Sequence, residues 1–165
     1  MSRRRPPTQA LEAGGDSTIR RAVPPARAAD LPEPFRAWFA RRGWTPRPHQ
    51  LALLDAAAHR RSTLLIAPTG AGKTLAGFLP SLIDLAGGSR RANRPGGRLH
   101  TLYISPLKAL AVDVHRNLEI PVAEMALPVR IETRTGDTSA QKRQRQRRDP
   151  PDMLLTTPEQ LALLT

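Results

Sequence analysis

The eight residues Ala67, Pro68, Thr69, Gly70, Ala71, Gly72, Lys73 and Thr74 are of the types that hold phosphate. Gly70 and Gly72 let backbone N–H groups turn toward anionic oxygens with no Cβ in the way, and a helix opening near Lys73 adds its partial positive end. Lys73 has the reach for the terminal phosphates of a nucleotide, and the Thr74 hydroxyl can be offered to Mg²⁺. The strict G-x-x-x-x-G-K-[ST] pattern fails at its first position, where Ala67 stands. The order of elements is intact, with an apolar run before the loop and another after it. A plain strand-to-helix turn is the competing reading, and it leaves G-K-T after a buried strand unexplained.

Gln50 closes the stretch "RPHQ", seventeen residues ahead of the loop. An amide donates and accepts at once, which matches the N6 and N7 edge of adenine. Near a helix start, a glutamine is also an ordinary solvated or capping residue. Three further groups each begin where a strand is expected to end: Ser105-Pro106-Leu107-Lys108, Gly136-Asp137-Thr138 and Thr157-Pro158-Glu159. Open parallel sheets bind ligands outside the carboxyl ends of their strands. Hydroxyls, helix N-termini and N–H groups there can hold phosphates without reading bases. Ser105 and Thr157 each precede a proline, so helix capping accounts for them equally well.

"QKRQRQRR" (141–148) puts five positive charges in eight residues with no acid. It suits either a phosphate backbone or a solvated helix face. His49, His59, His100 and His115 show no metal-ligand spacing.

The elements that must position these groups alternate. Residues 1–30 carry proline pairs, a glycine pair and scattered arginines, and read as a disordered tail. Phe35, Trp38 and Phe39 at i, i+3 and i+4 make "PEPFRAWFARRG" an amphipathic helix stopped near Gly43. A second helix is expected from Pro48. Beyond it the pattern gives strands at 62–68, 98–105, 129–135 and 152–157. Helices are expected at 73–87, at 106–120 (checked by Pro121) and from Pro158. Residues 89–97 read as a loop, and 139–149 as a polar helix or loop. Strands separated by helical patterns imply βαβ units and a parallel sheet of at least four strands with flanking helices. The fold class is α/β.

The formal charge is +12, and only three of 26 basic residues are lysine. Arginine offers planar forks for phosphate, and a field of this size attracts polyanions, nucleic acid above all. No cysteine is present, which excludes disulfides and thiolate metal sites. The apolar runs fall far short of the roughly 20 residues of a membrane helix, and no secretory signal is visible.

"RPHQ", "APTGAGKT", "SPLKALAVD", "RTGDTS" and "TTPEQL", in that order, resemble the motifs of superfamily 2 DEAD/DEAH-box (DEXH) helicases. The likeness is to the large helicase-related (Lhr-type) branch, which includes ligase-associated DNA helicases. It covers residues 31–165. The resemblance implies the N-terminal part of a RecA-like, P-loop NTPase motor domain, incomplete before its D-E-x-H box. Gln50 would read adenine and residues 67–74 would hold ATP and Mg²⁺. The three later loops would face a nucleic-acid backbone. It further implies an ATP-dependent 3′-to-5′ DNA translocase or helicase in DNA repair, in the bacterial cytosol or nucleoid, with ligase or nuclease partners.

Phosphate-loop hydrolysis needs a second acid to hold Mg²⁺ and position water. Asp84, Asp113 and Glu119 fall on expected helices away from that role, so this segment is expected to bind nucleotide without turning it over. The rivals are an RNA helicase of the same superfamily, a P-loop phosphotransferase, and a non-catalytic nucleic-acid-binding module.

Overall fold

The computed structural model describes Arg27 and residues 30–87 and 99–163. The expected tail, apart from Arg27 and Asp30, and the expected loop at 89–97 lie outside the described residues. Two helices open the chain, α1 (Glu33–Arg41) and α2 (Pro48–Ala58), followed by α3 (Lys73–Ala86) after the glycine loop. Then come β1 (Thr101–Ile104), α4 (Lys108–Glu124), β2 (Ile131–Arg134), α5 (Ala140–Arg148), β3 (Met153–Thr156) and α6 (Pro158–Ala162). The strands pair in parallel in the order β1-β3-β2. The α/β class and the helix-separated parallel sheet agree with the sequence.

β3 is buried along its whole length because it is central and covered on both faces. Met153 and Leu155 join one core with Phe35 and Trp38 of α1, Leu79 and Leu82 of α3, and Val114 and Leu118 of α4. Register places Thr156 and Arg134 on the opposite face, together with Leu154 and Glu132. α5 packs there, with Arg145 and Gln146 both donating to Glu132 Oε2.

Two expectations are corrected. The segment 62–68 is not a strand: it joins no ladder among the described residues, and Leu64 and Ile66 are 83% and 85% exposed. A strand needs a neighbour on at least one edge, and the three-stranded sheet supplies none here. The sheet of the described residues therefore has three strands rather than four.

The second correction concerns Pro121, which does not check its helix. α4 continues through it to Glu124. An interior proline costs about 3 kcal/mol and leaves the carbonyl four residues back, that of Asn117, without its helical donor. Burial of Pro121 offsets this. The last turn is also anchored to α1, where Arg41 Nη2 donates to the Glu124 carbonyl at 3.1 Å. The helix then closes on Ala126, at φ 50°, with Leu127 N–H returning to the Val122 carbonyl at 2.9 Å.

Candidate nucleotide and nucleic-acid site

Residues 67–72 form a tight loop before α3, which Lys73 and Thr74 open. Ala71 N–H donates to the Pro68 carbonyl at 3.2 Å, and Gly70 and Gly72 hold φ of 78° and 73°. Gly72 is the N-cap of α3 and takes the left-handed conformation, which glycine adopts without a Cβ penalty. Lys73 Nζ folds back on the loop and donates to the carbonyls of Ala67 (2.8 Å) and Pro68 (2.7 Å). The ammonium is thus parked at the start of the loop, with Thr69 exposed beside it and Thr74 half-buried one residue on.

Gln50 is brought to this loop by α2, which makes its main contact with α3. It is 3% exposed, its Oε1 accepts from the Arg47 N–H at 2.9 Å, and its Nε2 lies against Gly72. The capping reading of Gln50 is thus met. The carboxamide is fixed by its own helix start and lies beside the glycine loop.

Both open on one cavity of about 610 Å³, whose lining includes Gln50, Gly70, Gly72 and Thr74 together with Trp44, Arg42 and Asn117. The Trp44–Arg42 part of this lining is built as a stack. The Arg42 guanidinium lies 5.7 Å from the Trp38 ring centre and 5.2 Å from that of Trp44. Glu124, at the end of α4, accepts from Trp38 Nε1 at 2.6 Å and from Arg42 Nε at 3.0 Å. Hydrogen bonds from Arg42 and then Trp38 hold the Glu124 carboxyl below its usual pKa. Sequence reading missed this wall. The signal was "ARRGW" just ahead of "RPHQ", an aromatic and a cation within one loop of the glutamine.

The remaining candidates gather at the carboxyl ends of the strands, which are stitched together. Ser105 N–H donates to the Thr156 carbonyl at 3.0 Å, and Thr156 Oγ1 donates to the Arg134 carbonyl at 2.8 Å. Lys108 and Asp137 form an ion pair that joins the first loop to the second. Ser105 is 1% exposed and its hydroxyl is used in the turn to Leu107. Its side chain thus closes the turn ahead of α4 rather than capping it, since the N-cap is the exposed Leu107, with no side-chain cap bond. Thr138 Oγ1 accepts from Thr135 N–H at 2.9 Å, closing the turn around Gly136. Thr157 and Pro158 begin α6, and Glu159 is kept below its usual pKa by its own backbone N–H and then by the Thr157 hydroxyl.

The basic run is α5, capped by Ser139 accepting from Lys142 N–H at 3.3 Å. Of the histidines, His100 bonds Asp84 and Thr101, His115 bonds the Ile131 carbonyl, and His59 bonds the Asp55 carbonyl. No group of three or more potential metal ligands occurs among the described residues.

Residues 47–165 match the family described as DEAD/DEAH box helicase. The chain is 42% identical over 151 residues to the Lhr helicase/uracil glycosylase of Escherichia coli (strain K12), covering 81% of this chain and 10% of that protein. It is 36% identical over 143 residues to the ATP-dependent helicase Lhr-Core of Methanocaldococcus jannaschii, covering 81% and 17%. Among solved structures, the Mycobacterium smegmatis helicase Lhr bound to ssDNA and AMP-PNP superposes with a TM-score of 0.72 at 38% identity, over 84% of this chain and 18% of that one. The chain therefore spans between a tenth and a fifth of the length of these relatives. By the match over residues 47–165, this chain belongs to the DEAD/DEAH box helicase family.

Proposed function

We propose that this chain is the nucleotide-gripping part of an ATP-dependent DNA helicase or translocase. The observation that carries the reading is the convergence of Gln50, Gly72 and Thr74 on one cavity. ATP fits that donor set. The loop N–H groups and Lys73 suit the phosphates, the Gln50 amide suits the adenine edge, and Trp44 with Arg42 offers a wall for a flat base. Mg²⁺ would take the Thr74 hydroxyl, with phosphate oxygens and water supplying the remaining ligands. No Asp or Glu lines the cavity among the described residues, and the chain is expected to bind nucleotide without hydrolysing it.

DNA is the polymer we assign, because the Mycobacterium smegmatis relative is bound to ssDNA. The loops at Ser105–Lys108, Gly136–Thr138 and Thr157–Glu159 would contact its backbone. We extend the reading to a place in DNA repair inside the bacterial cytosol or nucleoid, alongside a ligase or nuclease. No described helix is long and apolar enough to cross a membrane.

Titration with a fluorescent ATP analogue in Mg²⁺, with unlabelled ATP and GTP as competitors, tests the nucleotide reading. ATP should displace the probe and GTP should do so poorly. Equal displacement by both would remove the role of Gln50, and no binding would remove the site. Anisotropy with matched single-stranded DNA and RNA oligonucleotides tests the polymer.

A further inference from the structure

Glu124, in the last turn of α4, does not line the nucleotide cavity, yet it holds two residues that do. Its Oε2 accepts from Trp38 Nε1 at 2.6 Å and from Arg42 Nε at 3.0 Å, and its Oε1 accepts from Arg42 Nη2. A carboxylate that takes a guanidinium edge with both oxygens fixes the plane of the group as well as its place. The carboxylate itself sits on a docked helix end, where Arg41 Nη2 donates to the Glu124 carbonyl at 3.1 Å.

What the grip positions is a set of flat faces. The Arg42 guanidinium lies 5.7 Å from the Trp38 ring centre and 5.2 Å from that of Trp44. The two indoles meet edge to face at 90°, with their centres 5.6 Å apart. Trp38 is buried in the core, whereas Trp44 is 50% exposed. Trp44 is thus the open member of the stack, packed on Arg42 and Trp38, and both of those are held by Glu124. Without that carboxylate Arg42 is a long, flexible side chain near the surface, and ordering it on a ligand costs conformational entropy. The charge matters as well, because an unpaired guanidinium beside the cavity attracts phosphate.

We propose that Glu124 is a positioning residue for the nucleobase: its grip on Arg42 and Trp38 sets the Trp44–Arg42 stack flat in advance, so that the cavity selects a base-bearing nucleotide over a bare phosphate chain. The inference rests on the nucleotide reading above and adds to it the group that prepares the base platform. Glu124 touches no ligand. It lowers the ordering cost of the stack and cancels the Arg42 charge.

The test is isothermal titration calorimetry of the 165-residue chain with ATP and, separately, with inorganic tripolyphosphate, both in Mg²⁺. Thermal unfolding of each variant sets the folded fraction. The wild type should prefer ATP. In Glu124→Ala, ATP affinity per folded molecule should fall about tenfold, the ordering cost of one or two side chains. Tripolyphosphate affinity should stay level or rise, since Arg42 is released. Glu124→Gln keeps the side-chain shape and one acceptor oxygen, and should show the same change of preference in smaller measure. Trp44→Ala should also lose ATP affinity, and adding Glu124→Ala to it should cost little more, because the two act through one stack. Equal losses for ATP and tripolyphosphate would make Glu124 a structural tie between α1 and α4 and overturn the proposal. So would additive losses in the double variant, or an unchanged ATP preference in both Glu124 variants. A wild type that binds ATP and tripolyphosphate equally well overturns the base platform while leaving the phosphate loop in place. A wild type that binds neither overturns the nucleotide reading too.

Discussion

The side-chain amide of Gln50 lies against Gly72: a Cβ built at Gly72 would stand 3.1 Å from Gln50 Nε2. The base-reading and phosphate-holding candidates are therefore in contact before any ligand arrives. Gly72→Ala meets two penalties, the Gln50 contact and the left-handed φ of 73°, the second costing about 1–2 kcal/mol. Binding of a fluorescent ATP analogue should fall about tenfold or more, with urea unfolding reporting a stability loss of about that 1–2 kcal/mol. Gln50→Ala should instead keep most triphosphate affinity and lose discrimination between ATP and GTP. Wild-type ATP affinity in Gly72→Ala would show that the loop tolerates displacement and that the contact is idle.

Lys73 gives up two carbonyl acceptors, those of Ala67 and Pro68, when it turns to a phosphate. Those bonds are exposed and replaceable by water, so they contribute little to stability. Lys73→Ala should lower ATP affinity about 10- to 100-fold, the loss of a charge-assisted contact worth roughly 1.5–3 kcal/mol. The thermal midpoint should hardly move. A large drop in the midpoint would mean that the ammonium serves the loop's fold rather than its ligand.

The carboxylate of Glu124 ties α1 to α4 through Trp38 and Arg42, and its pKa is depressed in the fold. A depressed carboxyl contributes stability that is present above the unfolded-state pKa and is lost as pH falls through the folded one. The unfolded reference is close to the ordinary value of 4.5. Unfolding followed from pH 7 downward should show the wild type losing stability below about that value. Glu124→Gln should start less stable and lose less over the same window. Parallel curves for the two proteins would separate Glu124 from the acid sensitivity.

Much of this architecture was legible because it is written in local chemistry. The i, i+3, i+4 aromatics of α1, the prolines opening α2 and α6, and the glycines before α3 each state an element in a few residues. The parts that were not legible depend on partners distant in sequence. "STLLIAP" has the composition of a buried strand, but composition cannot supply a neighbouring strand. Pro121 carries a stop signal that loses to burial and to an anchor from Arg41, eighty residues earlier in the chain. The candidate site divides the same way. The phosphate loop and Gln50 were visible as motifs, whereas Trp44 and Arg42 become a cavity wall only through Glu124 on another helix.

The C-terminus of α4 offers a stabilising change. Ala126 sits at φ 50° between Met125 and the buried Leu127, in a position where helices usually place glycine. Relieving the left-handed strain gains about 1–2 kcal/mol, and the added freedom of the unfolded glycine takes back about 0.4–1. Ala126→Gly should raise stability by about 0.5–1 kcal/mol in urea titration, with the slope m unchanged. Its effect on nucleotide binding should be small, because Ala126 does not line the cavity.

Leu64 and Ile66 stand almost fully exposed in a segment without regular secondary structure that leads straight into the glycine loop. Leu102 and Ile104 of β1 are 39% and 45% exposed, and β1 is an edge of the sheet. Extended backbone with apolar side chains and unpaired N–H groups is a template for pairing with another copy. The isolated 165-residue chain should therefore self-associate at micromolar concentration, with light scattering that grows on warming. Leu64→Lys with Ile66→Lys should suppress this, because charged side chains on an open edge oppose strand pairing. The double variant should keep its helical circular dichroism, since neither residue belongs to the core that α1, α3 and α4 build on β3. Unchanged aggregation in that variant would move the cause to the β1 edge, where Leu102→Lys is the next substitution. A monomeric wild type with a sharp, reversible thermal transition would refute the edge argument altogether.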